Sequence, residues 1–447
     1  MREAMSNPRI QLSDHFTYPR LLRFVAPSIT MMIFTSIYGV VDGFFVSNYV
    51  GKTPFAALNF IMPFIMVLGG TGFMLGTGGS AVVARTLGEG KPELANRLFS
   101  MFLFAVVLAG GVLSVIGVAF VEPIARIAGA SDALIEPCVS YGRILLAGSV
   151  PFMLQTSLQP FLVVAEKPNM GLILSLGSGV TNMVGDWVLI HLLGISGAAW
   201  ATVAGYCVGG VLPLLYFVRP RQGLRLVPTR MYVCEFVQAC GNGASELMSN
   251  ISSSLVGILY NIELMRLIGE AGVAAHSVMM YVDFVFVAAF LGFSIGSAPV
   301  VSYHFGAQNH AELKNVFRKS LLLVLLTSAA MVVLSEGLSR PMCAAFVGYS
   351  PELLQLTVHG FRLFALCYVF CGINIYASSF FTALCNGALS ALISFLRSLL
   401  LRGGLVILLP LVLDLDGVWL AVVAAEGLAA VVSVILLWRQ RTRYHYL

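Results

Sequence analysis

Charge is what this sequence has least of. Asp, Glu, Lys and Arg make up 11% of its 447 residues, against 58% for apolar types. So few charges cannot cover a water-soluble surface around that much apolar side chain. This excludes a string of soluble domains and points to an integral membrane protein. Cysteine offers little chemistry: the 8 cysteines lie mostly inside apolar runs, with no C-x-x-C pair, and no histidine cluster has metal-ligand spacing. They read as small buried hydrophobes. No cleavable signal peptide is expected, because Met1 to Arg23 is polar and the first apolar run is too long for a signal core. The formal charge of +5 does not imply nucleic acid, since the basic residues gather in alternate loops.

What is abundant is apolar sequence of spanning length. In the first half such segments fall at roughly 21–50, 55–84, 98–120, 139–164, 169–193 and 196–218. In the second half they fall at roughly 234–266, 272–303, 316–337, 356–384, 388–413 and 417–438. The expected fold class is all-α and integral to the membrane, with about twelve transmembrane helices joined by short loops. Lys and Arg crowd alternate loops, from Arg2, Arg9, Arg20 and Arg23 through Arg219–Arg230 to Arg439–Arg443. The opposite side keeps Lys52, Arg126, Arg266 and Arg340. By the positive-inside rule both termini are cytoplasmic.

The chain also repeats itself. Displaced by about 218 residues, Val50-Gly51 meets Ile268-Gly269, Gly78 meets Gly296, and Gly88 meets Gly306. With one residue of slippage Asn96 meets Asn315, and with two Gly197 meets Gly417. Two parallel, pseudo-symmetric six-helix lobes follow. The expected division is an N-terminal cytoplasmic segment 1–20, a lobe over 21–218, a basic linker 219–233, a lobe over 234–438 and a cytoplasmic tail 439–447. Small residues every fourth position (Gly72, Gly76, Ser80, Ala84, Gly88) mark close helix packing.

The first span carries the costly group. Asp42 follows about four uncharged turns after Pro27, and a carboxylate at membrane depth needs a cavity, a partner, a cation or a proton. Pro27 removes a backbone donor and can bend the helix. Asn182 and Asp186 sit four apart on one face of the fifth span, and Thr202 opens the sixth. Counted from the outer loops, Asp42, Asp186 and Thr202 lie at one depth, with Asn182 somewhat deeper. Two carboxylates, an amide and a hydroxyl make a candidate proton or Na⁺ site. The second lobe does not copy it: Tyr260, Arg402, Val406 and Val422 stand at the corresponding positions. It has its own charges in Glu246, Asp283, Arg397 and Arg402. Glu246 and Asp283 could attract a cationic substrate or pair with those arginines, and Met280 and Tyr281 could line an adaptable cavity.

With these residues in view the chain resembles the multidrug and toxic compound extrusion (MATE) family of secondary transporters. The resemblance rests on Pro27 with Asp42, Val50-Gly51 before Ala56-Ala57, and the ending Arg85-Thr-Leu-Gly88-Glu-Gly90. It rests further on Ser302-Tyr303-His-Phe-Gly306-Ala-Gln-Asn309 and on Asn182, Asp186 and Thr202. It covers nearly the whole chain after Arg20. What it implies is a V-shaped, two-lobe exporter of the inner membrane. That exporter would exchange external H⁺ or Na⁺ for amphipathic, often cationic compounds, with no other cofactor. Asp42, Asn182, Asp186 and Thr202 become the coupling site, and Pro27 the bend. A second-lobe Na⁺ site is doubtful, since the tenth span offers Asn374 and Tyr376 rather than a carboxylate. Expected partners are drug-like small molecules and the lipid bilayer; a monomer is expected.

The nearest rival is a flippase for lipid-linked glycans, which would favour an arginine-rich cavity. An enzyme has little support. Gly51-Lys52-Thr53 ends like a P-loop, but Val46 stands where the earlier glycine is required. Gly292-Phe-Ser294-Ile-Gly296 fits G-x-S-x-G only inside an apolar helix.

Overall fold

The computed structural model describes residues 10–49, 52–127, 132–219 and 223–447, and every regular element in them is a helix. The first lobe holds α1 (Tyr18–Tyr49), α2 (Lys52–Gly88), α3 (Pro92–Ile127), α4 (Asp132–Ala147), α5 (Ser149–Val164), α6 (Pro168–Leu193), α7 (Ile195–Gly210) and α8 (Leu212–Val218). The second holds α9 (Val233–Ile268), α10 (Glu270–Gly306), α11 (His310–Val347), α12 (Pro351–Ala365) and α13 (Tyr368–Ala383). It is completed by α14 (Gly387–Phe395), a π-helical turn over Leu396–Leu401, α15 (Arg402–Leu408) and α16 (Pro410–Tyr444). Among the described residues 10 helices are long and apolar enough to cross a membrane. Two bent pairs raise the number to 12 when each counts as one span. This is the multi-pass, all-α architecture expected.

The bends themselves were not legible. The fourth span is α4 and α5 meeting at 53° about Gly148, and the tenth is α12 and α13 meeting at 49°. The repeat is visible in the backbone, because turns with positive φ recur in register. Gly90 pairs with Gln308 (218 apart), Glu166 with Cys385 (219 apart), and Gly194 with Asp414 (220 apart). The residue gained between the last two pairs falls in the stretch that contains the π-helical turn, a form that accommodates one extra residue per turn.

Burial follows the helix period. On α6, Ile173, Val180, Val184 and Trp187 stay more than half exposed, as lipid-facing residues do, while Ser178, Asn182 and Asp186 turn inward. The lobes meet where glycine removes the side chain. A Cβ on Gly88 of α2 would strike the carbonyl oxygen of Tyr303 on α10, and one on Gly306 of α10 would strike that of Arg85 on α2. Gly78 and Gly243 do the same for α2 against α9. Gly292 and Gly296 of α10 lie against Ile29 and Val25 of α1.

The stretches expected as a tail and a linker are built into the fold. Helix α16 runs on to Tyr444, and Tyr446 is buried, its hydroxyl donating to the Leu437 carbonyl at 2.6 Å. In the linker, the Arg225 and Val227 amides donate to Asn96 Oδ1 and Ser100 Oγ on α3 at 3.0 and 2.9 Å. Residues 10–17, residues 223–232 of the linker and the chain's end all pack at one face, the basic face.

Candidate functional site

In the first lobe α6 supplies a polar ladder at helical spacing: Ser178, Asn182 and Asp186, with 1%, 2% and 0% of their surface exposed. Three polar residues on one face of a membrane helix need partners. Asn182 Nδ2 donates to Thr202 Oγ1 on α7 at 3.2 Å, and Thr202 Oγ1 donates to the Ala198 carbonyl at 2.9 Å. One turn nearer the basic face Gln155 Nε2 of α5 donates to Ser178 Oγ at 3.2 Å, and Ser178 Oγ donates to the Gly205 carbonyl at 2.8 Å. Gly205 permits this approach, since its Cβ would sit 2.9 Å from the Ser178 carbonyl oxygen and 3.3 Å from the Asn182 Cβ.

Helix α1 lies along α6. A Cβ at Gly179 would stand 2.6 Å from the Phe34 ring and 3.5 Å from Tyr38, so Gly179 fits between those rings. Asp42 is one turn beyond Tyr38 on α1, and Asp186 is two turns beyond Gly179 on α6. The Asp42 side chain lies outside the described residues. Pro27 sits within α1, which keeps helical backbone throughout its described length. The structure therefore brings together Asn182, Asp186 and Thr202. Gln155 and Ser178 were not expected from the sequence, although Ser178 extends the same four-residue spacing backwards.

The four second-lobe candidates do not form one site. Glu246 lines a cavity of about 150 Å³ between the lobes, with Thr77, Ser80, Asn250, Ser294 and Thr382 among its polar neighbours. Among the described residues it is the one carboxylate in that lining, which holds no basic residue. Asp283 instead accepts a hydrogen bond from Tyr368 at 3.0 Å. Tyr281 stacks on Phe346 at 5.9 Å and borders a separate apolar hollow with Ile37 and Val41, while Met280 packs on the second-lobe core.

The arginines have other company than expected. Arg397 Nε donates to Glu426 Oε1 of α16 at 2.6 Å, a partner not anticipated from the sequence. Arg402 lies 5.6 Å over the ring of Tyr260 and 6.0 Å from that of Phe364. Neither Glu246 nor Asp283 comes within 4.0 Å of an arginine nitrogen among the described residues. At the positions answering to Asp42 and Asn182, the second lobe thus holds a phenol ring under a tethered cation.

The family model MatE matches residues 27–188 and 246–408 of this chain. Multidrug export protein MepA of Staphylococcus haemolyticus (strain JCSC1435) is 21% identical over 435 residues, covering 95% of this chain and 94% of that one. MepA of Staphylococcus saprophyticus is 21% identical over 366 residues, 79% of this chain and 80% of its own. A crystal structure of MATE in complex with MaL6 superposes with a TM-score of 0.91 at 20% identity, covering 98% of each chain. The outward-facing conformation of a multidrug resistance MATE family transporter of the MOP superfamily does so at 0.90 and 20%, covering 97% of this chain and 98% of that one. At such identity the likeness is one of fold.

Proposed function

Because the chain belongs to the MatE family, we propose that it is a cation-coupled antiporter that exports amphipathic, often cationic compounds across the cytoplasmic membrane. The observation that carries this reading is Asp186, a carboxylate 0% exposed in a helix of membrane-crossing length, beside the Asn182–Thr202 pair. Ionisable groups inside membrane helices are costly and mark ion or proton pathways. The names of the MepA relatives, multidrug export proteins, support export as the direction. The gathering of Lys and Arg at one face supports a cytoplasmic position for that face and for both termini.

In this mechanism H⁺ or Na⁺ reaches Asp42 and Asp186 from outside. Neutralising the pair alters how α1 is held against α6, with Phe34 and Tyr38 moving over Gly179 and Pro27 as the yielding point. The rearrangement weakens the hold on the exported compound, and the loaded protein returns inward. The ion drives the cycle only because it binds the two states unequally. Glu246, the one charge lining the cavity between the lobes among the described residues, suits the positive end of such a compound, with Phe73, Leu291 and Ile295 against its apolar part. The flippase alternative loses ground here: the described lining of that cavity lacks basic residues, and Arg397 is paired with Glu426.

The test is dye efflux in everted vesicles, with a pH or a Na⁺ gradient imposed separately. Asp42→Asn and Asp186→Asn should each abolish gradient-driven efflux in protein that still purifies as one species. Efflux at the unmodified rate in either variant would remove that residue from the coupling site.

A further inference from the structure

Two short segments cross from one lobe to the other on the basic face, and the internal repeat relates them. Residues 10–17 lead into α1 of the first lobe yet dock on the second. Phe16 is fully buried, 5.8 Å from the Phe24 ring and 6.4 Å from His304. Its amide donates to Glu312 Oε1 at 2.9 Å, and its carbonyl accepts from Asn315 Nδ2 at 2.9 Å and Lys319 Nζ at 2.7 Å. His15 Nδ1 lies 2.6 Å from Glu312 Oε2. Four residues earlier the segment is held by the first lobe, where the Leu12 amide donates to Glu166 Oε1 at 2.8 Å. Glu166 occupies the turn between α5 and α6, and burial pushes its carboxyl up from the usual range.

The second segment, 223–232, leads into α9 of the second lobe and docks on the first, on Asn96, Ser100 and the Arg97 carbonyl, which accepts from Thr229 at 2.8 Å. Asn96 and Asn315 are repeat mates, so the two straps are equivalent in place. They differ in chemistry: the backbone amides of the linker are held by the neutral side chains of Asn96 and Ser100, whereas those of residues 10–17 are held by one carboxylate from each lobe, Glu166 and Glu312. Hydrogen bonds to ionised acceptors are the stronger kind. Opening the basic face must part α2 from α9 and α10, and α1 from α10. A segment anchored to both lobes cannot keep both anchors through that motion.

We propose that residues 10–17 form a releasable latch across the basic face, with Glu166 and Glu312 as gate residues that hold the lobes closed there until it detaches. The proposal rests on the alternating-access reading of the transport cycle. Its test needs neither substrate nor gradient, so it stands apart from a failure to export. A single cysteine replaces Ser379, which lines the cavity between the lobes, in a chain whose other cysteines are substituted. A membrane-impermeant maleimide is then applied from either side of sealed vesicles. Against the same chain with both glutamates intact, Glu166→Gln with Glu312→Gln should raise labelling from the basic face at least about threefold. Labelling from the opposite face should fall. Phe16→Ala, which changes no charge, should move both rates the same way. A merely loosened protein would label faster from both sides, and that result overturns the latch. So does labelling unchanged from either side in both variants.

Discussion

Among the described residues Arg397 and Glu426 form the shortest ion pair between side chains of different helices in the second lobe, Nε to Oε1 at 2.6 Å, with 17% and 3% of their side chains exposed. The other carboxylate oxygen accepts from Asn374 Nδ2 at 2.8 Å, and Asn374 Oδ1 accepts from Ser433 at 2.8 Å. Removing one partner of so buried a pair leaves the other charge stranded. Glu426→Ala should therefore lower stability by about 3–5 kcal/mol, whereas Arg397→Met with Glu426→Leu should cost far less. Thermal unfolding of the purified variants decides it; equal losses would mean that the pair itself, rather than the orphaned charge, carries the stability.

The glycine seam makes a second prediction. Gly88→Ala places a methyl on the Tyr303 carbonyl and should cost about 1–3 kcal/mol through forced displacement of α2 from α10. At Gly111 and Gly337, both within helices, an added Cβ would meet nothing within 4 Å, so alanine there should be neutral or stabilising by up to about 1 kcal/mol. The same unfolding assay compares them.

Thr202→Val keeps the shape of the site but removes the oxygen that accepts from Asn182. The lost hydrogen bond should cost about 0.5–1.5 kcal/mol. The ion concentration for half-maximal efflux should rise, while Thr202→Ser restores both. If efflux keeps its ion dependence in the valine variant, Thr202 serves folding alone.

At the chain's end, the Tyr446 ring lies 4.9 Å from both Phe317 and Phe380. Tyr446→Ala should cost about 3–5 kcal/mol through the cavity it leaves. Tyr446→Phe, which loses only the bond to Leu437, should cost about 1 kcal/mol. Melting temperatures in detergent would rank the two.

Much of the architecture was legible because lipid imposes a simple rule: apolar runs of spanning length are helices. The similar depth of Asp186 and Thr202, with Asn182 somewhat deeper, was read for the same reason, since counting from a loop measures distance along a helix; that Asn182 is the one to meet Thr202 was not. Azimuth between helices was not. Nothing in the sequence said that Arg397 faces Glu426 rather than Glu246, or that Tyr281 and Glu246 border different hollows. The bend at Gly148 and the docking of Phe16 beneath Glu312 also depend on contacts distant in the chain, which no local pattern records.

The π-helical turn ahead of Arg402 has a consequence for how duplicated halves diverge. One additional residue in a helix swings whatever follows by about 100°. The extra residue thus re-aims the end of the eleventh span, where Arg402 and Val406 stand at the positions that Asn182 and Asp186 hold in the first lobe. The halves are then no longer interchangeable parts, and a chain assembled from two copies of the first would lack the Arg397–Glu426 tie, since Gly177 and Tyr206 stand at those places.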